Sequence, residues 1–116
     1  MKLATLKQPG TKDGRLVVVS RDLRRAVAAP AGIPTLLHAV EHWAQAAPVL
    51  QHLFDQLQAG QAQDAFDFDP ALAAAPLPRA PQWCDGSAFL NHARLMETAF
   101  HMAPIPDADT VPLMYQ

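Results

Sequence analysis

The chain has 116 residues, 50% hydrophobic and 17% charged, with nine basic residues against eleven acidic ones and a formal net charge of −2. This is the composition of one folded domain and not of a disordered segment. With no Lys/Arg cluster along a helix face, it also lacks the footprint of a nucleic-acid binder. The N-terminus, Met1-Lys2-Leu3-Ala4-Thr5-Leu6-Lys7, has no long apolar run and is broken by Pro9-Gly10. Neither a signal peptide nor a membrane span is expected there. The single cysteine, Cys84, cannot form an intrachain disulfide, so a reducing cytoplasm is the expected location.

Leu3 to Leu6 predicts a short first strand. Thr11-Lys12-Asp13-Gly14 carries turn chemistry, since Asp-Gly supplies a residue that tolerates positive φ. Arg15-Leu16-Val17-Val18-Val19-Ser20 gives the strongest strand signal, because β-branched side chains favour extended backbone. Arg21-Asp22 reads as a second turn and Arg24 to Ala29 as a third strand, which completes an antiparallel meander. Pro30 and Pro34 close the sheet. Thr35 is placed to cap a helix running to about Ala46, Pro48 fits the first turn of a second helix, and Gly60 ends it. Leu36, Val40, Trp43, Ala47, Leu50, Phe54 and Leu57 recur at spacings of three and four and are expected to face the sheet. The expected fold class is α+β: a small three-stranded antiparallel sheet covered by two helices, forming a domain over residues 1–75.

From Asp64 to Pro81 the sequence turns irregular and reads as a surface connector. Residues 76–116 are expected to form an extended proline-rich arm with one further helix, from Phe89 to about His101, on the spacing of Leu90, Leu95, Met96 and Phe100. The last residues, Leu113-Met114-Tyr115-Gln116, include no capping residue or polar tail. That is an unexpected place for a complete domain to end.

Several motifs resemble sites without completing them. His38-Ala39-Val40-Glu41-His42 has the H-x-x-E-H pattern of inverted zinc peptidases, and two histidines four apart share a helix face. Catalytic zinc also needs a third protein ligand and a cleft, while the only other glutamate is Glu97. The expectation is that His38, Glu41 and His42 lie opposite the apolar stripe as solvated residues. Asp64, Asp67 and Asp69 lack the glycine and the closing bidentate glutamate of a calcium loop. Cys84 has no neighbour in the sequence that would activate it as a nucleophile. Ser87 in Asp85-Gly86-Ser87-Ala88 lacks the spacing of a nucleophile elbow.

The informative stretch is Pro78-Arg79-Ala80-Pro81-Gln82-Trp83-Cys84-Asp85-Gly86-Ser87-Ala88-Phe89-Leu90-Asn91-His92. A carboxylate, a glycine and an imidazole seven residues beyond the carboxylate form a loop that enters a helix. Asp85 offers oxygen to a hard cation, and His92 is the side-chain type suited to base work near neutral pH. On residue types alone the stronger reading is ordinary turn sequence and a helix-surface histidine.

Here the sequence resembles the fumarylacetoacetate hydrolase (fumarylacetoacetase) family, in the N-terminal region of its two-domain bacterial members. The likeness runs through Met1 to Leu6, Asp13 to Leu23 and Phe68-Asp69-Pro70. It is strongest over Pro76-Leu77-Pro78-Arg79 and Gln82 to His92, and it resumes at Pro112-Leu113-Met114-Tyr115-Gln116. The resemblance implies a metal-dependent enzyme, using Mg²⁺ or Ca²⁺, that hydrolyses carbon–carbon bonds in acylpyruvates and related 1,3-diketo acids; some relatives decarboxylate or isomerise similar acids. It implies that Asp85 is a metal ligand, that His92, with a distant glutamate, activates the attacking water, and that Tyr115 contacts substrate. Ser87 departs from the family, standing where fumarylacetoacetases carry a substrate-contacting tyrosine.

The family's other metal carboxylates include a Glu-x-Glu pair on a downstream domain, and no Glu-x-Glu occurs here. A single carboxylate holds a hard cation poorly, since Mg²⁺ and Ca²⁺ sites gather several oxygens. The chain alone is therefore expected to be catalytically silent. Its implied partners are the C-terminal catalytic domain, a small diketo-acid substrate and a second subunit in a homodimer, with no nucleic acid or membrane. The alternatives are a non-catalytic binding or assembly module that keeps the fold, and a small zinc peptidase built on His38 and His42.

Overall fold

A computed structural model describes all residues from Met1 to Gln116. The chain divides into two units, Met1–Ala80 and Pro81–Gln116. In the first, strands β1 (Lys2–Gln8), β2 (Thr11–Val19), β3 (Arg25–Ala28) and β4 (Phe66–Asp67) form an antiparallel sheet in the order β1-β2-β3-β4. The expected meander is present, and β4 extends it by pairing Asp67 with Arg25 and Phe66 with Ala26. Part of the presumed connector is thus sheet. The Arg25 guanidinium fastens it, with Nη1 2.8 Å from Asp67 Oδ1 and Nη2 donating to the Ala65 carbonyl at 2.5 Å.

The first turn lies earlier than the sequence suggests. Gln8 pairs with Thr11, so Pro9-Gly10 is the two-residue connection. Proline presets the φ of its position, and Gly10 takes φ +81. Asp13-Gly14 lies inside β2, where Lys7 on β1 faces Lys12, Asp13 and Gly14 in an irregular step of the ladder. The positive φ that Asp-Gly foretells is real, at +66 on Gly14, but it serves a bulge.

Both faces of β2 are covered, which accounts for its unbroken apolar run. Leu16 and Val18 join Val27 and the helices in one core, while Val17 and Val19 join Ala26, Ala4, Leu6, Phe66 and Phe68 in another. The Arg21-Asp22 turn forms as expected. Ser20 Oγ donates to Asp22 Oδ1 at 2.6 Å, and the Arg24 N–H donates to the same oxygen at 3.1 Å.

Helix α1 (Leu36–Glu41) starts where expected, with Thr35 Oγ1 accepting from the His38 N–H at 3.1 Å. It stops at His42, whose φ −120 and ψ 37 break the helix, and α2 (Trp43–Gln58) follows at once. Pro48 therefore lies inside α2 and not in its first turn. Gly60 ends α2 as expected, with φ +71; its N–H donates to the Leu57 carbonyl at 3.2 Å, and the Gln61 N–H donates to Gln56 at 2.8 Å. Ala39, Ala46, Leu50, Phe54 and Leu57 are buried against the sheet. Val40 and Trp43, expected in that stripe, are 52% and 46% exposed. The break at His42 resets the helical phase, so one stripe cannot be drawn through both helices.

Beyond β4, Asp69 Oδ1 accepts from the Ala71 N–H at 2.9 Å and starts a short 3₁₀ turn, Pro70–Leu72. The chain then runs along the outer edge of β1. Leu6 bridges Ala73, the Ala74 N–H donates to the Thr5 carbonyl at 2.8 Å, and the buried Thr5 hydroxyl donates to the Pro76 carbonyl at 2.7 Å. Arg79 Nε donates to Asp13 Oδ1 at 2.7 Å, and its Nη2 reaches Oδ2 of the same carboxylate.

The second unit is more than an extended arm with a helix. Strands β5 (Asp85–Ser87) and β6 (Leu113–Tyr115) pair antiparallel on either side of α3 (Leu90–Phe100) in the sequence. Phe89 is the N-cap of α3, and His101, at φ 52, is its C-cap. No residue from Pro81 to Gln116 is buried. No helix of the chain is long and apolar enough to cross a membrane.

Candidate functional site

The three residues singled out from the sequence meet in the second unit. The β5–β6 register sets Asp85 opposite Tyr115, Gly86 opposite Met114 and Ser87 opposite Leu113. Gly86 suits this place, because a Cβ there would come within 3.3 Å of Met114 Sδ. Two residues beyond Ser87 the chain enters α3, whose first turn carries His92. Asp85, His92 and Tyr115 all line one concavity of about 560 Å³. That size falls within the range of small-molecule sites. Cys84, next to Asp85, is exposed and does not line it.

Along α3 the least exposed residues are Ala93 and Glu97, one turn apart. They join His92 and Met96 on the concavity, whereas Leu95 and Phe100, expected in the apolar stripe, face away from it at 60% and 63% exposure. Glu97 was visible in the sequence, but nothing there connected it to Asp85. The approach of Tyr115 to Asp85 depends on a three-residue strand pair, too short for a period-two signal.

Asp85 is the natural oxygen donor for a hard cation, but the chain nowhere gathers three His, Cys, Asp or Glu side chains that could hold a metal ion. A complete Mg²⁺ or Ca²⁺ shell of six or more oxygens does not fit these residues alone. In the H-x-x-E-H segment, Glu41 and His42 are exposed, while His38 is half-buried and not solvated as expected. The His38 and His42 rings stack with centroids 4.5 Å apart, and His42 Nδ1 lies 3.1 Å from the His38 carbonyl oxygen. Stacking turns ring faces toward each other and does not converge the nitrogens on one point.

A four-stranded antiparallel sheet packed on two helices, with a strand–helix–strand unit following it in the chain, defines an α+β fold. Residues 1–79 match the family described as Fumarylacetoacetase N-terminal domain 2, and the chain belongs to the fumarylacetoacetase family. Enzymes of this family are metal-dependent. The matched region ends before Asp85, so it does not reach Asp85, His92 or Tyr115. No curated protein matches the sequence.

Proposed function

We propose that this chain supplies the N-terminal domain and part of the active site of a metal-dependent enzyme that hydrolyses a carbon–carbon bond in an acylpyruvate or related 1,3-diketo acid. It works joined to a C-terminal catalytic domain that brings the remaining carboxylates, and as a homodimer. The observation that carries the reading is the shared concavity of Asp85, His92 and Tyr115. A divalent cation, Mg²⁺ or Ca²⁺, supplies positive charge that polarises the dicarbonyl when bound. Asp85 contributes one carboxylate toward it. His92 accepts the proton of the attacking water as its oxygen bonds to the carbonyl carbon, and returns that proton to the carbon released as an enolate when the C–C bond breaks. Tyr115 offers its hydroxyl to a substrate oxygen and fixes the acid in the concavity.

The test separates the two central roles in the complete enzyme. Asp85→Asn is expected to weaken metal binding, so that added Mg²⁺ partly restores activity. His92→Ala is expected to lower kcat by about a hundredfold to ten-thousandfold at saturating metal, with metal affinity nearly unchanged. Both side chains are exposed, so thermal melts serve as a control for folding. A His92→Ala enzyme with near-wild-type kcat would remove the base from the mechanism and favour the non-catalytic module.

A further inference from the structure

We infer that the concavity selects diketo acids whose acyl end is an uncharged hydrocarbon and discriminates against those ending in a second carboxylate. The inference rests on the proposed function and deepens it. The lining changes character along its length. Asp85, Ser87 and Tyr115 come from the strand pair and His92 from the first turn of α3. Met96 follows about 6 Å further along the helix axis. The remaining wall is apolar, with Phe89 at the start of α3 and Met102, Ile105, Ala108 and Val111 returning from the segment between α3 and β6.

No lysine or arginine lines the concavity, and its other charged side chain is the half-buried Glu97. A terminal carboxylate entering here would lose water against apolar carbon without a cation to receive it, and would meet the Glu97 carboxylate. A hydrocarbon end gains from the same transfer. Met96 and Met102, unbranched and adaptable, would close around chains of different length.

The experiment uses the complete, Mg²⁺-loaded enzyme and three substrates: acetylpyruvate, hexanoylpyruvate and the diketo acid of hexanoyl length that ends in a second carboxylate. From acetyl to hexanoyl, kcat/KM is expected to rise by about fourfold per methylene until the concavity is filled. The diacid is expected to lie well below hexanoylpyruvate. Glu97→Gln is expected to raise the diacid-to-hexanoyl ratio of kcat/KM by about tenfold. Ala93→Leu, a substitution α3 accommodates as a helix, narrows the concavity and is expected to erase the gain from acetyl to hexanoyl. An enzyme that cleaves acylpyruvates without regard to acyl length, or prefers the diacid, overturns this inference and leaves the proposed function standing. An enzyme that cleaves none of the three overturns both.

Discussion

Gly14 lies within β2 at φ +66, with the Leu6 carbonyl and the Thr5 side chain packed where a side chain would begin. A Cβ would overlap the Leu6 oxygen and stand 2.7 Å from Thr5 Cγ2. Left-handed backbone costs a non-glycine residue roughly 1–2 kcal/mol before any overlap is relieved. Gly14→Ala is therefore expected to destabilise the chain by at least about 2 kcal/mol and lower Tm by on the order of 10 °C; a melt unchanged from wild type would contradict the bulge. The neighbouring Asp13 carboxyl is held below the ordinary carboxylate range by its hydrogen bonds from Arg79, with the attraction of the guanidinium adding to them. Asp22 is lowered by the Ser20 hydroxyl and then by the Arg24 backbone N–H. A carboxyl lowered in the folded state contributes stability that is full above its unfolded-state value and is lost as the pH falls through the folded one. Tm is thus expected to decline from about pH 5 downward, with a shallower decline in Asp13→Asn, as thermal melts across pH would show.

Among the elements, α2 carries the larger share of the helical core, and Leu50 is its fully buried centre. Leu50→Ala is expected to cost about 2–5 kcal/mol in denaturant unfolding. Val40→Ala, at a position half open to water, is expected to stay within about 0.5 kcal/mol. If the two losses were equal, the helical phase described here would be wrong. This pair also marks where sequence reading reached its limit. The Val17-Val18-Val19 run, the Thr35 cap and the Gly60 stop were legible because each has a local physical cause in residues next to one another. The break at His42 was not, since neither Gly nor Pro marks the place where the backbone leaves the helix. Strand β4 escaped for a different reason. Two residues, Phe66 and Asp67, are too few to show alternation, and their pairing with Arg25 and Ala26 spans some forty positions of sequence. Asp13-Gly14 was read correctly as a place for positive φ and wrongly as the turn, because both structures call for the same residue.

At the scale of the whole molecule, the two units differ in what holds them. Met1–Ala80 has core on both faces of β2, whereas Pro81–Gln116 buries no residue, and Trp83, Phe89 and Phe100 are all more than 60% exposed. Family likeness pointed to Asp85, His92 and Tyr115 in that second unit, but the apolar wall beside them was not legible. Ile105, Ala108 and Val111 recur every third residue, but they lie in a Pro-rich segment that forms no helix, and only the folding back of the chain from α3 to β6 puts them on one surface with Ala93. The first unit's covered sheet edge has a wider consequence. A strand with its outer amides and carbonyls free is a template, and copies can add to it one after another, as in fibril growth. Here Ala73 and Ala74 occupy that side of β1, and the opposite edge of the sheet is a strand of only two residues. The stretch from Pro70 to Pro76, unremarkable as sequence, thus acts as a guard against polymerisation. A proteolytic cut that released it is expected to leave that part of the β1 edge open to strand addition.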